Sequence, residues 1–206
     1  MATLTSADIV FYYTGAASGP SDNTLSIGGT ISGDTITSAL ANNVYDDVSG
    51  DESATGTIEY RCIAVKDTHA SADMLNAKVW ITGYTRAGTS NDVMYFAMQA
   101  PTGTTVDLCA DPYTGPNTTH FTVPVGNTVA WTAEGAPSST LTYGTLAHGS
   151  WFGIWLMRSV PVTASAYSNR SVTIQVQCET TGSPLYTVTK SYVVNFDGPL
   201  SPLKLW

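Results

Sequence analysis

Apolar and polar residues alternate with a period of two along several stretches of the chain. Because successive side chains of a strand point to opposite faces, such alternation predicts a strand with one buried face. The clearest case sets Val172, Ile174, Val176 and Cys178 against Thr173, Gln175, Gln177 and Glu179. A second strand is predicted over residues 186–196, where Lys190 interrupts the apolar row.

Five further segments are rich in β-branched and aromatic residues and are bounded by Gly, Pro, Asn, Asp or Ser, which favours strands. They cover residues 8–14, 60–66, 77–84, 93–99 and 119–125. Residues 150–160 are apolar on both alternating sets, which predicts a central strand covered on both faces or packed at an interface. Trp151 and Trp155 of this strand are expected in the core. The pattern predicts roughly eight to ten strands in all.

Helical signals are sparse. Only residues 32–44 offer a capping residue, Asp34, ahead of the spaced apolar residues Ile36, Leu40 and Val44, which predicts one short helix or a turn. Strands separated by turns rather than helices indicate an antiparallel β-sandwich, of jelly-roll or immunoglobulin-like type. We expect a single sandwich domain over residues 1–196.

Residues 197–206 differ from the rest. Pro199 and Pro202 prevent this segment from joining a central strand. Leu203, Leu205 and Trp206 are too apolar for a free tail in water. We therefore expect an extended C-terminal arm that docks on its own domain or on a neighbour.

Composition narrows the classes of partner. The 206 residues include 16 acidic and 8 basic side chains, a net charge of −8, and the basic residues are scattered, which argues against nucleic acid. Charged residues amount to only 12%, about half the ~25% of an average domain. No stretch approaches the ~20 apolar residues of a membrane-spanning helix. The start, MATLTSADIV, has no leader pattern, so we expect synthesis in the cytoplasm.

Candidate chemistry is weak. The carboxylates of Asp46, Asp47, Asp51 and Glu52 lie close together in sequence and are weak candidates for Ca²⁺ ligands, but a solvated acidic turn needs no ion. The three cysteines, Cys62, Cys109 and Cys178, lack metal or disulfide spacing and are expected to be buried thiols. No cofactor is therefore expected.

Catalytic patterns are equally weak. The nearest string to a nucleophile motif, His148-Gly149-Ser150, is not a nucleophile elbow. The other histidines, His69 and His120, lie near predicted strand ends. The carboxylates of Glu59, Asp92, Glu134 and Glu179 are candidates for acid–base chemistry only by residue type. The sequence therefore predicts a non-enzymatic protein.

Aromatic residues offer a candidate interface. Trp80 and Tyr84 are predicted to share one side of a strand with Lys78 and Thr82, opposite an apolar side. An exposed pair of this kind can stack on a sugar ring or anchor a protein interface. The alternative is that the two aromatic side chains are buried. With Leu203, Leu205 and Trp206 of the arm, Trp80 and Tyr84 form the predicted interface set.

Three strings, at residues 59–66 (EYRCIAVK), 75–81 (LNAKVWI) and 153–161 (GIWLMRSVP), follow an acidic turn at residues 46–50. Together they resemble structural proteins of tailed-bacteriophage virions, loosely over residues 7–178, and no functional residues carry over. That family usually has a basic residue paired before the Val-Pro, whereas here Met157 precedes Arg158, a departure expected to affect surface charge only.

The resemblance and the composition together favour a capsid decoration or cement protein on the outside of the virion. Its expected partners are the major capsid protein or other virion proteins, in a homo-oligomer or many-copy lattice. No nucleic acid and no membrane are expected as partners. A tail or baseplate adaptor is the alternative within the family, and a carbohydrate-binding module is the alternative of another class.

Overall fold

The structure, a computed structural model, describes residues 3–15, 21–85, 92–117, 132–133, 140–164, 170–180 and 185–196. Eleven strands and one short helix lie within these ranges. They are β1 (Ile9–Gly15), β2 (Gly28–Thr35), α1 (Gly50–Thr55), β3 (Thr57–Asp67), β4 (Met74–Tyr84), β5 (Val93–Gln99), β6 (Thr105–Leu108), β7 (Thr132–Ala133), β8 (Leu141–Leu146), β9 (Trp151–Val160), β10 (Arg170–Glu179) and β11 (Thr187–Phe196).

The strands form two antiparallel sheets, one of them strongly curled. The seven-stranded sheet has the order β6-β2-β1-β3-β9-β5-β7, and the four-stranded sheet has the order β11-β10-β4-β8. This arrangement confirms the predicted all-β, antiparallel, sandwich-like fold. The predicted strand over residues 119–125 and the predicted arm, residues 197–206, lie outside the described residues.

The main core lies between the two sheets. Alternate residues of β10 are buried, as the period-two pattern predicted, and they pack with apolar side chains of β3, β4 and β9. At one side of this core the rings of Phe11 and Tyr192 stack with centroids 4.4 Å apart. Burial of these side chains is the main favourable contribution to the stability of the sandwich.

A second apolar cluster covers the other face of the seven-stranded sheet, where Cys62, Ala97, Val106, Cys109 and Trp155 pack together. The indole Nε1 of Trp155 donates to Oε1 of Gln99 at 2.7 Å. Strand β9 lies between β3 and β5 and is buried on both faces, which confirms the prediction from its uninterrupted apolar pattern. Trp155 is fully buried, and Trp151 packs partly buried against the same cluster.

Residues 32–44, where the sequence predicted a short helix or a turn, form the end of β2 followed by turns and not a helix. Strand β2 continues to Thr35, and beyond it Ala39 and Asn42 have positive φ values of 62° and 52°, which no helix accommodates. The Asn43 side chain fixes this segment by donating to the carbonyls of Thr37 and Val193. The helix is instead α1, with Ser49 as its N-cap.

Candidate functional site

Three charged side chains are buried together at one end of the main core. Glu59 forms an ion pair with Arg61 through Oε1 and another with Arg158 through Oε2, each with an N–O distance of 2.5 Å. All three are at least 97% buried. We refer to Glu59, Arg61 and Arg158 as the ionic cluster. It is the most extensive set of buried charges among the described residues.

The strand register explains why these residues meet. Glu59 lies directly opposite Arg158 in the β3–β9 ladder. Arg61 follows Glu59 by two positions, so both point to the same face of β3. That face is the one that carries Ile63 and Val65 into the main core. The ionic cluster therefore continues the core-facing side of the seven-stranded sheet.

The segment before α1 closes the ionic cluster. The ring of Tyr45 lies under both guanidinium groups, with its centroid 4.7 Å from Cζ of Arg158 and 5.5 Å from that of Arg61. Arg158 also donates to the backbone carbonyl of Asp46, and Arg61 donates through Nε to the carbonyl of Asn23. Two loops far apart in sequence are thereby joined to β3 and β9.

Burial raises the pKa of Glu59, and the positive charges of Arg158 and Arg61 oppose that shift. Burial likewise raises the pKa of Tyr45 well above its usual value, with the charge of Glu59 acting in the same direction. Arg158 is fully buried, whereas Met157, the residue that departs from the family pattern, is half-buried. A single sequence does not show that Glu59 and Arg158, 99 residues apart, face each other.

A second buried ion pair lies at the start of β10. Arg170 donates through Nε to Oδ1 of Asp92 at 3.0 Å, and both residues are buried. Arg170 also donates to the carbonyl of Ser171. Three of the eight basic residues, Arg61, Arg158 and Arg170, are therefore inside the protein.

The acidic segment has structural contacts. Ser49 and Glu52 form a capping box, in which the side chain of each accepts from the backbone N–H of the other. Asp47 accepts from the amide of Asn42, and Asp46 Oδ1 lies 3.7 Å from Nη2 of Arg158. Asp51 lies in the first turn of α1, where a carboxylate favours the helix dipole. Within the described ranges, no three His, Cys, Asp or Glu side chains are arranged to hold a metal ion.

The candidate catalytic residues are dispersed. His148 Nδ1 contacts Oδ1 of Asp73 at 2.8 Å on the surface, and no hydrogen bond between the described atoms joins His148 to the Ser150 side chain. His69 accepts from the N–H groups of Ser71 and Ala72. The carboxylate of Glu179 accepts from Asn76. Its strand, β10, and the strand of Glu59, β3, belong to different sheets, and Asp92 pairs with Arg170 at the opposite end of β10. His120 and Glu134 lie outside the described residues.

The buried carboxylate of Asp67 has one oxygen without a hydrogen-bond partner. Asp67 Oδ1 accepts from the N–H of His69, whereas Oδ2 has no hydrogen-bond partner. Burial raises the pKa of Asp67, and the hydrogen bond from His69 opposes the shift. Deprotonated Asp67 therefore opposes folding.

The predicted interface residues are only partly described. Trp80 is half-buried opposite Gln175, on the outer face of the four-stranded sheet. A bulge between Ile81 and Gly83 shifts the register, so Tyr84 lies opposite Val172, a core residue. The shared face predicted for Trp80 and Tyr84 is therefore wrong, although Tyr84 is exposed. Leu203, Leu205 and Trp206 lie outside the described residues.

The cysteines are free and buried, as the sequence predicted. Burial raises the pKa of Cys109 to about 12 and that of Cys178 to about 11, and it raises the pKa of Cys62 well above its usual value. These thiols are therefore poor nucleophiles at neutral pH. None of the helices within the described residues is long and apolar enough to cross a membrane.

Comparison with known proteins leaves the family open. No family model and no curated protein matches the sequence. Among solved structures, the N-terminal domain of PorA is similar with a TM-score of 0.38 and 14% identity, over 92% of this chain and 96% of that one. AvmM, which catalyzes macrocyclization in alchivemycin A biosynthesis, is similar with a TM-score of 0.39 and 6% identity, over 97% and 93%. Neither similarity is strong enough to assign a function.

Proposed function

We propose that this chain is a non-enzymatic structural protein of a phage virion, bound to the outside of the capsid as a decoration protein. Its role is mechanical: it bridges neighbouring capsomers and stabilises the shell. Because it binds the assembled lattice and not the free subunits, it favours assembly by mass action.

The distribution of charge is the observation that carries this proposal. The buried positions of Arg61, Arg158 and Arg170 remove three basic residues from the surface of a chain whose net charge is already −8. Glu59 and Asp92, which pair with these arginines, are also buried. Even without these two carboxylates, acidic residues outnumber basic ones in the rest of the chain, so the surface stays acidic. An acidic surface is repelled by packaged nucleic acid, which favours the outer side of the shell.

The outer face of the four-stranded sheet suits repeated contacts between proteins. Side chains there are mostly uncharged and hydrogen-bonding, as in the pairs Gln175–Ser191 and Gln177–Thr189. Such a face docks on a neighbour with little cost from burying charge. Weak contacts of this kind become effective when they are repeated over many copies.

The carbohydrate-binding alternative finds less support. A carbohydrate-binding site of the predicted kind needs the rings of Trp80 and Tyr84 on the same exposed face, beside the acidic segment. The bulge places Trp80 and Tyr84 in different registers, and the acidic segment is bound to the seven-stranded sheet through Arg158.

Imaging of purified virions tests the proposal, with antibody or tag labelling of this chain. We expect hundreds of copies on the shell. A handful of copies at the tail would support the adaptor alternative instead, and absence from the particle would overturn the proposal.

A deletion of residues 197–206 tests the arm separately. We expect the truncated chain to keep the circular-dichroism spectrum of the sandwich and to lose occupancy on particles. Unchanged occupancy would contradict a role of the arm in docking.

A further inference from the structure

Among the described strands, β11 forms one edge of the four-stranded sheet and pairs with β10 alone. Its ten residues pair with β10 without a register shift. The other sheet edges in the described part of the chain are less regular: β6 and β7 have four and two residues, and the ladder of β8 contains register shifts. Strand β11 is therefore the long, regular edge that natural proteins usually protect.

Half of this edge is covered by the protein itself. Val193 donates to Ser38 Oγ and accepts from the N–H of Ala39, and the Asn195 N–H donates to Asn43. These contacts show that the odd-numbered residues of β11 direct their N–H and C=O groups away from β10.

The other half is not covered by any residue in the described ranges. Thr187, Thr189 and Ser191 are odd-numbered too, so their backbone groups point to the same free side. No described residue forms a hydrogen bond with those groups. We refer to residues 187–191 as the open edge.

We propose that the open edge pairs with the open edge of a second copy of this chain, antiparallel and about a twofold axis beside Val188. This register places Thr187 opposite Thr189 of the second copy, so that outward donors meet outward acceptors. It joins the two four-stranded sheets into one continuous sheet, the usual form of strand addition.

The charges of the edge favour a second copy in this register. Lys190 is the one charged residue among residues 185–191, and the register sets it opposite Tyr186 of the second copy, where a cation–π contact can form. A register centred on Lys190 would set two lysines against each other. A register centred on Thr189 would drive residue 185 of the second copy into the covering contacts of Ser38 and Ala39.

Exposed apolar residues lie where the two copies meet. Leu185 and Tyr186 are exposed directly before β11. Leu40 is exposed on the segment that covers the second half of β11, from Val193 to Asn195. The register brings Leu185 of the second copy opposite Ser191, next to the start of that covering segment. The cover ends the pairing there, so the contact closes as a dimer and does not extend into a fibre.

This inference does not depend on the proposed function, since purified protein tests it without any particle. Sedimentation of the wild-type chain over a concentration series should show a monomer–dimer equilibrium. A wild-type chain that stays monomeric at all concentrations would overturn the proposal, whatever its location in a virion.

Thr189→Pro is the disrupting variant. Its N–H points away from β10, so proline leaves the β10–β11 ladder intact and removes a donor from the dimer contact. Each substitution counts twice in a symmetric dimer, so we expect the dissociation constant to rise about tenfold or more. An unchanged constant in a folded variant would contradict the pairing.

Val188→Cys tests the register independently of that variant. Opposed residues that do not exchange hydrogen bonds across an antiparallel pair have Cα atoms about 4.5 Å apart, which suits a disulfide. The native cysteines are buried, so a mild oxidant should yield a cross-linked dimer of this variant. Thr82→Cys, exposed on β4, is the matched control and should remain uncross-linked. Equal cross-linking of the two variants would overturn the assigned register.

Discussion

The two sheets of this protein bury their residues differently. The seven-stranded sheet is covered on both faces over β3 and β9 and contains the ionic cluster. The described residues cover the four-stranded sheet on one face only, and its other face carries Thr, Ser and Gln side chains. This difference suggests that the first sheet supplies most of the stability and the second supplies the surface for contacts.

Substitution of one tryptophan in each sheet gives the largest expected contrast. Trp155 is fully buried and hydrogen-bonded to Gln99, so Trp155→Ala should lower the free energy of unfolding by about 3–5 kcal/mol. Trp80 is half-buried on the outer face, so Trp80→Ala should cost about 1 kcal/mol. Urea denaturation measures both. Equal losses would contradict the difference between the sheets.

The ionic cluster gives the next largest effect. Glu59→Gln leaves two buried guanidinium groups without their carboxylate and should cost about 3 kcal/mol. Asp46→Asn is the matched control, because its side chain is 64% exposed, and it should cost about 0–1 kcal/mol. Thermal unfolding at pH 7 compares the two. A cost for Glu59→Gln no larger than the control's would mean that the ionic cluster does not hold the sheet together.

Asp67 gives a smaller effect with a definite pH dependence. Burial raises its folded-state pKa, so its favourable contribution is complete below the unfolded-state pKa and is lost as the pH rises through the folded-state pKa. Asp67→Asn should therefore be more stable than the wild type at pH 7, by the order of 1 kcal/mol. The advantage should shrink as the pH falls through the raised folded-state pKa of Asp67 and should be gone below about 4, the ordinary pKa of an aspartate. A variant less stable than the wild type at pH 7 would show that the ionised carboxylate is favourable.

Much of the fold follows from local patterns. The alternation around Val176 predicted β10, and the predicted strand over residues 93–99 has the bounds of β5. The apolar run of residues 150–160 predicted the central strand β9, because apolar side chains on both faces of a strand need other residues to bury them. These predictions depend on side-chain periodicity, which a strand imposes within a few residues.

Other features depend on contacts between distant segments. The Ser-x-x-Glu pattern of Ser49 and Glu52 is the sequence signature of a capping box. The acidic residues around it were interpreted instead as a solvated turn or a weak Ca²⁺ site. Burial of Arg158 follows only from the pairing of β3 with β9. Gly83 is a local signal of the bulge that separates Trp80 from Tyr84, because a glycine inside a strand often marks a bulge, but it does not show which residues lose their shared face.

Hydrogen–deuterium exchange of the purified chain at low and high concentration tests most directly whether contacts form at the four-stranded sheet. We predict that residues 185–191 become protected as the concentration rises, while the peptides of β3 and β9 remain strongly protected throughout. Protection that appears on the seven-stranded sheet instead, or exchange at residues 185–191 that never changes, would contradict the account.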